Sequence, residues 1–262
     1  MDKDHYTQEF IDFRPQLVSY LYRLTTNLSG AEDLAQDTYL KVMDKLDTFE
    51  GRSSFKTWAF TIATNLLRDN QRVRKRWGAD WMDKVRDAHL ADTELMAAKA
   101  DIVHNAPYGH FVMSEHVNYC FNCTVKTLLL DQQICLWLKE VYAFTVAEII
   151  DITGLSEGKV KHAIADARST LARVFTERCA LINKEGVCSQ CTGLNEIYNP
   201  QQDAQIEANR MKMVKQASDS SKERLLDLRL ELARDMNPLL GEGRDLHKHL
   251  IENSPRWAEP QG

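Results

Sequence analysis

The stretch that decides the fold is VAEIIDITGLSEGKVKHAIADARSTLARVF, residues 146 to 175. A run with helical spacing stops at Gly154, Ser156 stands at an N-cap position, and Val160, Ile164, Ala167 and Leu171 then recur on one face. Glycine closes a helix in the left-handed conformation with no Cβ penalty. The pattern therefore predicts helix, tight turn and second helix, a helix-turn-helix.

Upstream, SSFKTWAFTIATNLLRDNQRVRKR, residues 53 to 76, reads as another helix. Ser53 or Ser54 is expected to cap it, because a hydroxyl there accepts from an orphan N–H of the first turn. Phe55, Trp58, Ala59, Ile62, Ala63 and Leu66 form the expected buried stripe. Thr57, Phe60, Thr61, Thr64, Arg68 and Gln71 fall on the other side, which should be exposed and end in Arg72, Arg74, Lys75 and Arg76. The preceding helix is expected to start at a capping box of Ser29 and Glu32 and to bury Ala35, Tyr39, Val42, Met43 and Leu46. Its outer face carries Glu32, Asp33, Gln36, Asp37, Lys41 and Asp44. Before it, Phe10, Phe13, Leu17, Leu21 and Leu24 recur at three and four residues, with Pro15 expected to split that segment in two.

No alternating strand pattern occurs anywhere, so the fold class is all-α. The 262 residues carry a net charge of −5, which argues against a protein that coats nucleic acid indiscriminately, although the cluster from Arg68 to Arg76 is locally cationic. No apolar run reaches the roughly 18 residues that span a bilayer, and MDKDHYTQEF lacks the order of a signal peptide. A cytoplasmic protein with no membrane contact is expected. Neither a phosphate-cradling glycine loop nor a catalytic His/Asp grouping is present, so an enzyme is not expected.

Between the two helical blocks, residues 81–123 read as a linker with a short helix around Thr93 to Ile102. Residues 177–262 form an extension in which Leu225, Leu226, Leu228 and Leu232 suggest an amphipathic helix covering its own core. The six cysteines leave three readings open. Cys120-x-x-Cys123 and Cys188-x-x-Cys191 have the spacing of a four-thiolate structural zinc site, with Cys179 as a substitute ligand. The same thiols could instead sense redox state or be inert. Cys135 sits at an apolar position and is expected to be a small buried hydrophobe.

Two helical modules on a linker, one with a basic end and one with a helix-turn-helix, suggest two contacts with one nucleic acid. AEDLAQDTYLKVMDKLDTFEGRSSFKTWAFTIATNLLRDNQRVRKR closely resembles region two of the extracytoplasmic-function (ECF) branch of bacterial sigma factors. TLLLDQQICLWLKEVYAFTVAEIIDITGLSEGKVKHAIADARSTL resembles their region four. The two blocks stand in family order and cover roughly the first 175 residues.

The resemblance implies a promoter-specificity subunit that needs no cofactor: region two over 1–80, the linker over 81–123, region four over 124–176 and the extension over 177–262. Its implied partners are core RNA polymerase, through the beta-prime clamp helices and the beta subunit, promoter DNA both double- and single-stranded, and an anti-sigma or other regulatory protein. Asp33, Gln36, Asp37 and Lys41 would face the clamp helices. In the loop Phe49 to Ser54, which matches the family's pocket for a base flipped from the minus-ten element, Glu50, Arg52, Ser53 and Ser54 would meet the base edge. Thr61, Thr64, Asn65 and Arg68 would follow the non-template strand, with Asn65 on the family's IAxN position. Arg72, Arg74, Lys75 and Arg76 would neutralise phosphates. Ser156, Lys159, Lys161, His162, Ala165, Asp166 and Arg168 would approach the minus-thirty-five duplex, though Ala163 and Asp166 stand where the family commonly has arginine. The alternative is a helix-turn-helix regulator that reads duplex DNA alone and senses metal or redox state through its cysteines.

Overall fold

A computed structural model describes residues 3–71, 113–179 and 210–241, together with positions 87, 91–94, 97–98, 101 and 247. The elements are α1 (Lys3–Thr25), α2 (Leu28–Asp44), a 3-10 turn (Leu46–Thr48), α3 (Phe55–Gln71), α4 (Met113–Val125), α5 (Leu130–Glu140), α6 (Val146–Thr153), α7 (Glu157–Arg178), α8 (Lys212–Lys215) and α9 (Lys222–Asp235). Among the described residues no strand forms, and the protein is all-α. The chain divides into two compact units, one of Met1–Lys75 with Leu129–Asp166, the other of Arg76–Leu128 with Ala167–Gly262.

In the first unit α1, α2 and α3 enclose a core of Phe10, Leu17, Leu21, Leu24, Leu34, Ala35, Ala59 and Ala63. The expected break at Pro15 does not occur, and α1 is one helix with Pro15 inside it. Proline removes one intrahelical donor. The carbonyl it leaves, on Ile11, lies on the solvent side, where both Ile11 and Pro15 are exposed, so water can satisfy it. The capping box at Ser29 is also corrected: Asn27 is the N-cap of α2, its Oδ1 accepting from the Gly30 N–H at 2.7 Å. Ser54 does cap α3, accepting from the Thr57 N–H at 3.0 Å.

The helix-turn-helix forms as expected. α6 opens on a capping box in which Thr145 Oγ1 accepts from Glu148 N–H and Glu148 accepts from Thr145 N–H, and it closes at Gly154 with φ +67°. Val160 and Ala167 are buried on α7, and the Lys159 N–H points at Ser156 Oγ at 3.5 Å. α5 supplies Ile134, Leu136, Trp137 and Leu138 to the core, with the Arg23 guanidinium 4.8 Å from the Trp137 ring. Cys135 is fully buried there, and burial pushes its thiol up to about 12.

The second unit packs α9 against α4. Leu225, Leu226, Leu228 and Leu230 are buried, whereas Leu232 is only half-buried. Residues 113–123, read from sequence as linker, lie in α4, whose Met113, Val117, Phe121 and Val125 are buried. Of the helix expected at Thr93 to Ile102, the described positions 93, 94, 97, 98 and 101 are helical and exposed. Phe121 stacks on Phe175 at 5.4 Å, and the Arg229 guanidinium lies 4.2 Å above the Phe175 ring while donating to Cys179 Sγ at 2.9 Å.

Candidate nucleic-acid interface

The loop from Glu50 to Ser54 turns at Gly51, whose φ of +69° favours glycine. The ring of Phe49 anchors one end of it, 5.0 Å from Trp58 and 5.8 Å from Phe55. The Ser54 cap anchors the other. Between these fixed ends Glu50 and Arg52 are exposed and form an ion pair with each other. A pair so open to solvent contributes little to folding. It leaves a carboxylate and a guanidinium, both able to hydrogen-bond a base edge, on a rigidly based loop.

The α3 face expected to be exposed is largely buried. Thr57, Phe60 and Thr64 have no exposed surface, Thr61 and Arg68 are half-buried, and Asn65 is open. The cause is packing that helical periodicity does not register. Phe60 lies against Phe144 at 4.9 Å and Tyr20 at 5.3 Å, and Thr64 Oγ1 shares a hydrogen bond of 3.0 Å with Tyr20 Oη. Thr57 donates to Glu148 at 3.3 Å, and Arg68 donates to the Thr153 carbonyl at 2.8 Å and to Asp131 at 2.9 Å. Arg72, Arg74, Lys75 and Arg76 lie outside the described residues.

On α7, Lys159, Lys161, His162, Ala165 and Asp166 are exposed, as is Ser156 just before it. Lys161 is held one turn from its own start by Glu157 at 2.6 Å. Arg168 is half-buried and paired with Asp227 of α9. Lys159, His162 and Asp166 line a cleft of about 790 Å³ together with Asp131 and Arg68. Residues assigned from sequence to two separate promoter elements thus share one cavity.

Asp33, Gln36, Asp37 and Lys41 are all exposed on α2. The sequence reading missed Leu40 among them, 56% exposed in the middle of this polar face. The signal was available, because Leu40 falls outside the buried heptad-like set of that helix.

Cys120 and Cys123 lie one turn apart in α4, both buried. Burial pushes the Cys123 thiol up to about 12. Cys188 and Cys191 lie outside the described residues, and Cys179 is engaged by Arg229. Among the described residues no group of three or more His, Cys, Asp or Glu side chains could hold a metal ion. The described half of the proposed thiolate set thus packs as ordinary core.

Comparison with known proteins converges on one family. Residues 10–78 match the sigma-70 region 2 family. The ECF RNA polymerase sigma factor SigW of Bacillus subtilis is 26% identical over 173 residues, 66% of this chain and 89% of the relative. SigG of Mycobacterium tuberculosis is 29% identical over 183 residues, 62% of this chain but only 46% of the relative. EcfG of Rhodopseudomonas palustris is 27% identical over 161 residues, 62% of this chain and 80% of the relative. A solved structure of the sigma factor RpoE in complex with the anti-sigma factor NepR from Bartonella quintana aligns with TM-score 0.46 and 26% identity over 66% of this chain and 97% of that one. No helix among the described residues is long and apolar enough to cross a membrane. Residues 10–78 thus carry a sigma-70 region 2 domain, and over about two thirds of its length the chain is similar to ECF sigma factors, non-enzymatic factors that direct bacterial RNA polymerase to promoters and start transcription.

Proposed function

We propose that this sigma factor divides its work by segment: region two within 1–80, region four within 124–176, and an extension from 177 that steadies the second half of α7. The exposed α2 face of Asp33, Gln36, Asp37 and Lys41 docks on the beta-prime clamp helices of core polymerase. The loop of Glu50, Arg52, Ser53 and Ser54 receives a base flipped from the minus-ten element, and Thr61, Asn65, Arg68 and the cationic run from Arg72 to Arg76 hold the unstacked strand. Thr64 supports that face from within. Ser156, Lys159, Lys161, His162, Ala165 and Asp166 meet the minus-thirty-five duplex, joined by Arg168 when it leaves Asp227. The factor acts where polymerase acts, in the cytoplasm, and an anti-sigma protein is a candidate regulator.

The observation that carries this reading is the loop itself: two exposed groups of opposite charge on a turn fixed at both ends by Phe49 and Ser54. Unstacking a base takes a few kcal/mol, and a pre-formed loop spends none of that on ordering itself. Arg52→Ala and Asn65→Ala should each reduce permanganate-reactive open complex on a supercoiled promoter while core binding stays at the wild-type level. Equal losses in both assays would remove the strand-capture role. The zinc reading rests on the Cys-x-x-Cys spacing alone, and metal content of anaerobically purified protein decides it.

A further inference from the structure

We propose that Cys179, directly after α7, is a peroxide-reactive thiol whose anionic sulfur is stabilised by the Arg229 guanidinium of α9, which makes the joint between the two helices a site of reversible oxidation. Both residues lie in the second unit. Arg229 is 2% exposed, and a guanidinium keeps its charge wherever it is placed. Taking a cation out of water without an anion beside it is strongly unfavourable. The acids two positions away on α9, Asp227 and Glu231, pair with Arg168 and Arg224 instead. Among the described residues Arg229 has other company: its Nη2 donates to Cys179 Sγ at 2.9 Å, its carbon lies 4.2 Å above the Phe175 ring, and its Nε has no acceptor. The ring meets the flat face of the cation but none of its N–H groups, and a neutral thiol is a weak acceptor. Negative charge on Sγ is what completes the pair.

Two other cysteines give the contrast. Cys123 and Cys135 have no exposed surface, and burial pushes both thiols up to about 12, outweighing Lys126 near the first and Arg68 near the second. Cys179, 6% exposed, differs in having a guanidinium bonded to its sulfur. In the reaction that sulfur attacks one oxygen of a hydroperoxide. An S–O bond forms and the O–O bond breaks, sulfur loses two electrons, and the departing hydroxide takes the proton of the transferred oxygen and leaves as water. The product is a sulfenate, again an anion, and it adds an oxygen acceptor beside a guanidinium whose Nε has none. A small thiol reverses the change, releasing water to form a mixed disulfide that a second thiol cleaves. Arg168, Phe175 and Cys179 stand seven and four positions apart along one face, so the modified atom lies on the side of α7 that α9 covers.

The test exposes the full chain, in chelator so that no metal shields a thiol, to hydrogen peroxide at neutral pH. Samples are denatured in iodoacetamide with and without prior dithiothreitol, and mass spectrometry reads alkylation cysteine by cysteine. Cys179 should be lost at least about tenfold faster than Cys123 and Cys135, and dithiothreitol should restore it. Equal rates for the three thiols overturn the proposal. Arg229→Met then separates charge from cover. With the charge gone the Cys179 rate should fall about tenfold, whereas loss of cover alone would expose the thiol and raise it. A rate that rises or stays unchanged overturns the part given to Arg229. Arg229→Lys keeps a cation and should stay within about threefold of wild type; a lysine variant that folds, by circular dichroism, yet reacts about tenfold slower than wild type overturns that part too. Should Arg229→Met fail to fold, the wild-type rates and the lysine variant still decide.

Discussion

Tyr20 and Thr64 meet hydroxyl to hydroxyl at 3.0 Å in the core of the first unit, where neither has exposed surface. Burial raises the Tyr20 phenol well above its ordinary value, the hydrogen bond from Thr64 opposing that rise only in part. A residue that sequence placed on the DNA face is therefore a structural partner of α1. Thr64→Val keeps the shape but strands a buried phenol, which costs about 1–3 kcal/mol. Chemical denaturation should show a loss of that size. Open-complex yield should fall only as far as the folded fraction does.

Leu40 makes the opposite case, an apolar side chain with no role in the core. It is 56% exposed, between Asp37 and Lys41 on the face assigned to polymerase. An exposed leucine inside a polar patch is the sort of anchor that an interface desolvates. Leu40→Asp should weaken core binding about 10-fold or more, while unfolding stability moves by less than about 0.5 kcal/mol. Titration of labelled core polymerase measures the first and urea unfolding the second.

Where sequence succeeded and failed follows from the range of the interactions. The helix-turn-helix was legible because its signals are local: Gly154 must adopt positive φ, and Val160, Ala167 and Leu171 repeat at helical steps. The Ser54 cap was legible for the same reason. The polar side of α3 was not, because its neighbours arrive from afar. Arg68 bonds groups 63 and 85 positions away, and no periodicity within one helix records which foreign surface will cover its second face. Phe60, an aromatic within the hydroxyl-rich stripe, was the one local hint. The exposed loop and the α2 face were legible because solvent is what polar residues meet by default.

Arg168 and Asp227 connect the extension to α7, the helix proposed above to meet the minus-thirty-five duplex. Their side chains are 29% and 42% exposed, so the pair contributes at most about 1 kcal/mol to folding. Its larger effect is on charge: while paired, Arg168 is withheld from phosphate. Asp227→Ala should steepen the log–log salt dependence of duplex binding by about one unit, one added phosphate contact, with little change in melting temperature. An unchanged slope would mean that Arg168 stays where it is without its partner.

Glu148 closes the α6 capping box and also receives Thr57 of α3. The N–H and hydroxyl of Thr145 hold its carboxyl below the ordinary value of 4.5, with smaller help from Thr57 and Lys56. Because the folded value is depressed, the contribution is complete above the ordinary glutamate range and disappears as pH falls through the folded value. Glu148→Gln should be slightly less stable than wild type near neutrality and should lose less on acidification. Thermal melts between about pH 6 and pH 3.5 check both limbs. Parallel curves would show that the cap does not depend on ionisation.

Acid should also loosen the second unit, by a different group and in a higher window. His116 and His247 lie 5.7 Å apart, and Tyr119 stacks on His247 at 4.9 Å. Burial lowers His116 from 6.5 to about 4, and burial followed by the neighbouring His116 lowers His247 well below 6.5. Both imidazoles are therefore neutral in the folded unit, while the unfolded chain takes up protons first as pH drops below about 6.5. Stability is full and flat above that value and declines toward pH 4, by on the order of a few kcal/mol. Urea unfolding followed by circular dichroism at about pH 7.5 and pH 5 should show the loss. His247→Phe keeps the ring against Tyr119 but removes one titrating group, so the gap between the two pH values should narrow. A gap of wild-type size in that variant would assign the acid sensitivity elsewhere. Since this unit holds Asp227 against Arg168, the same acidification should bring on the steeper salt dependence expected of Asp227→Ala.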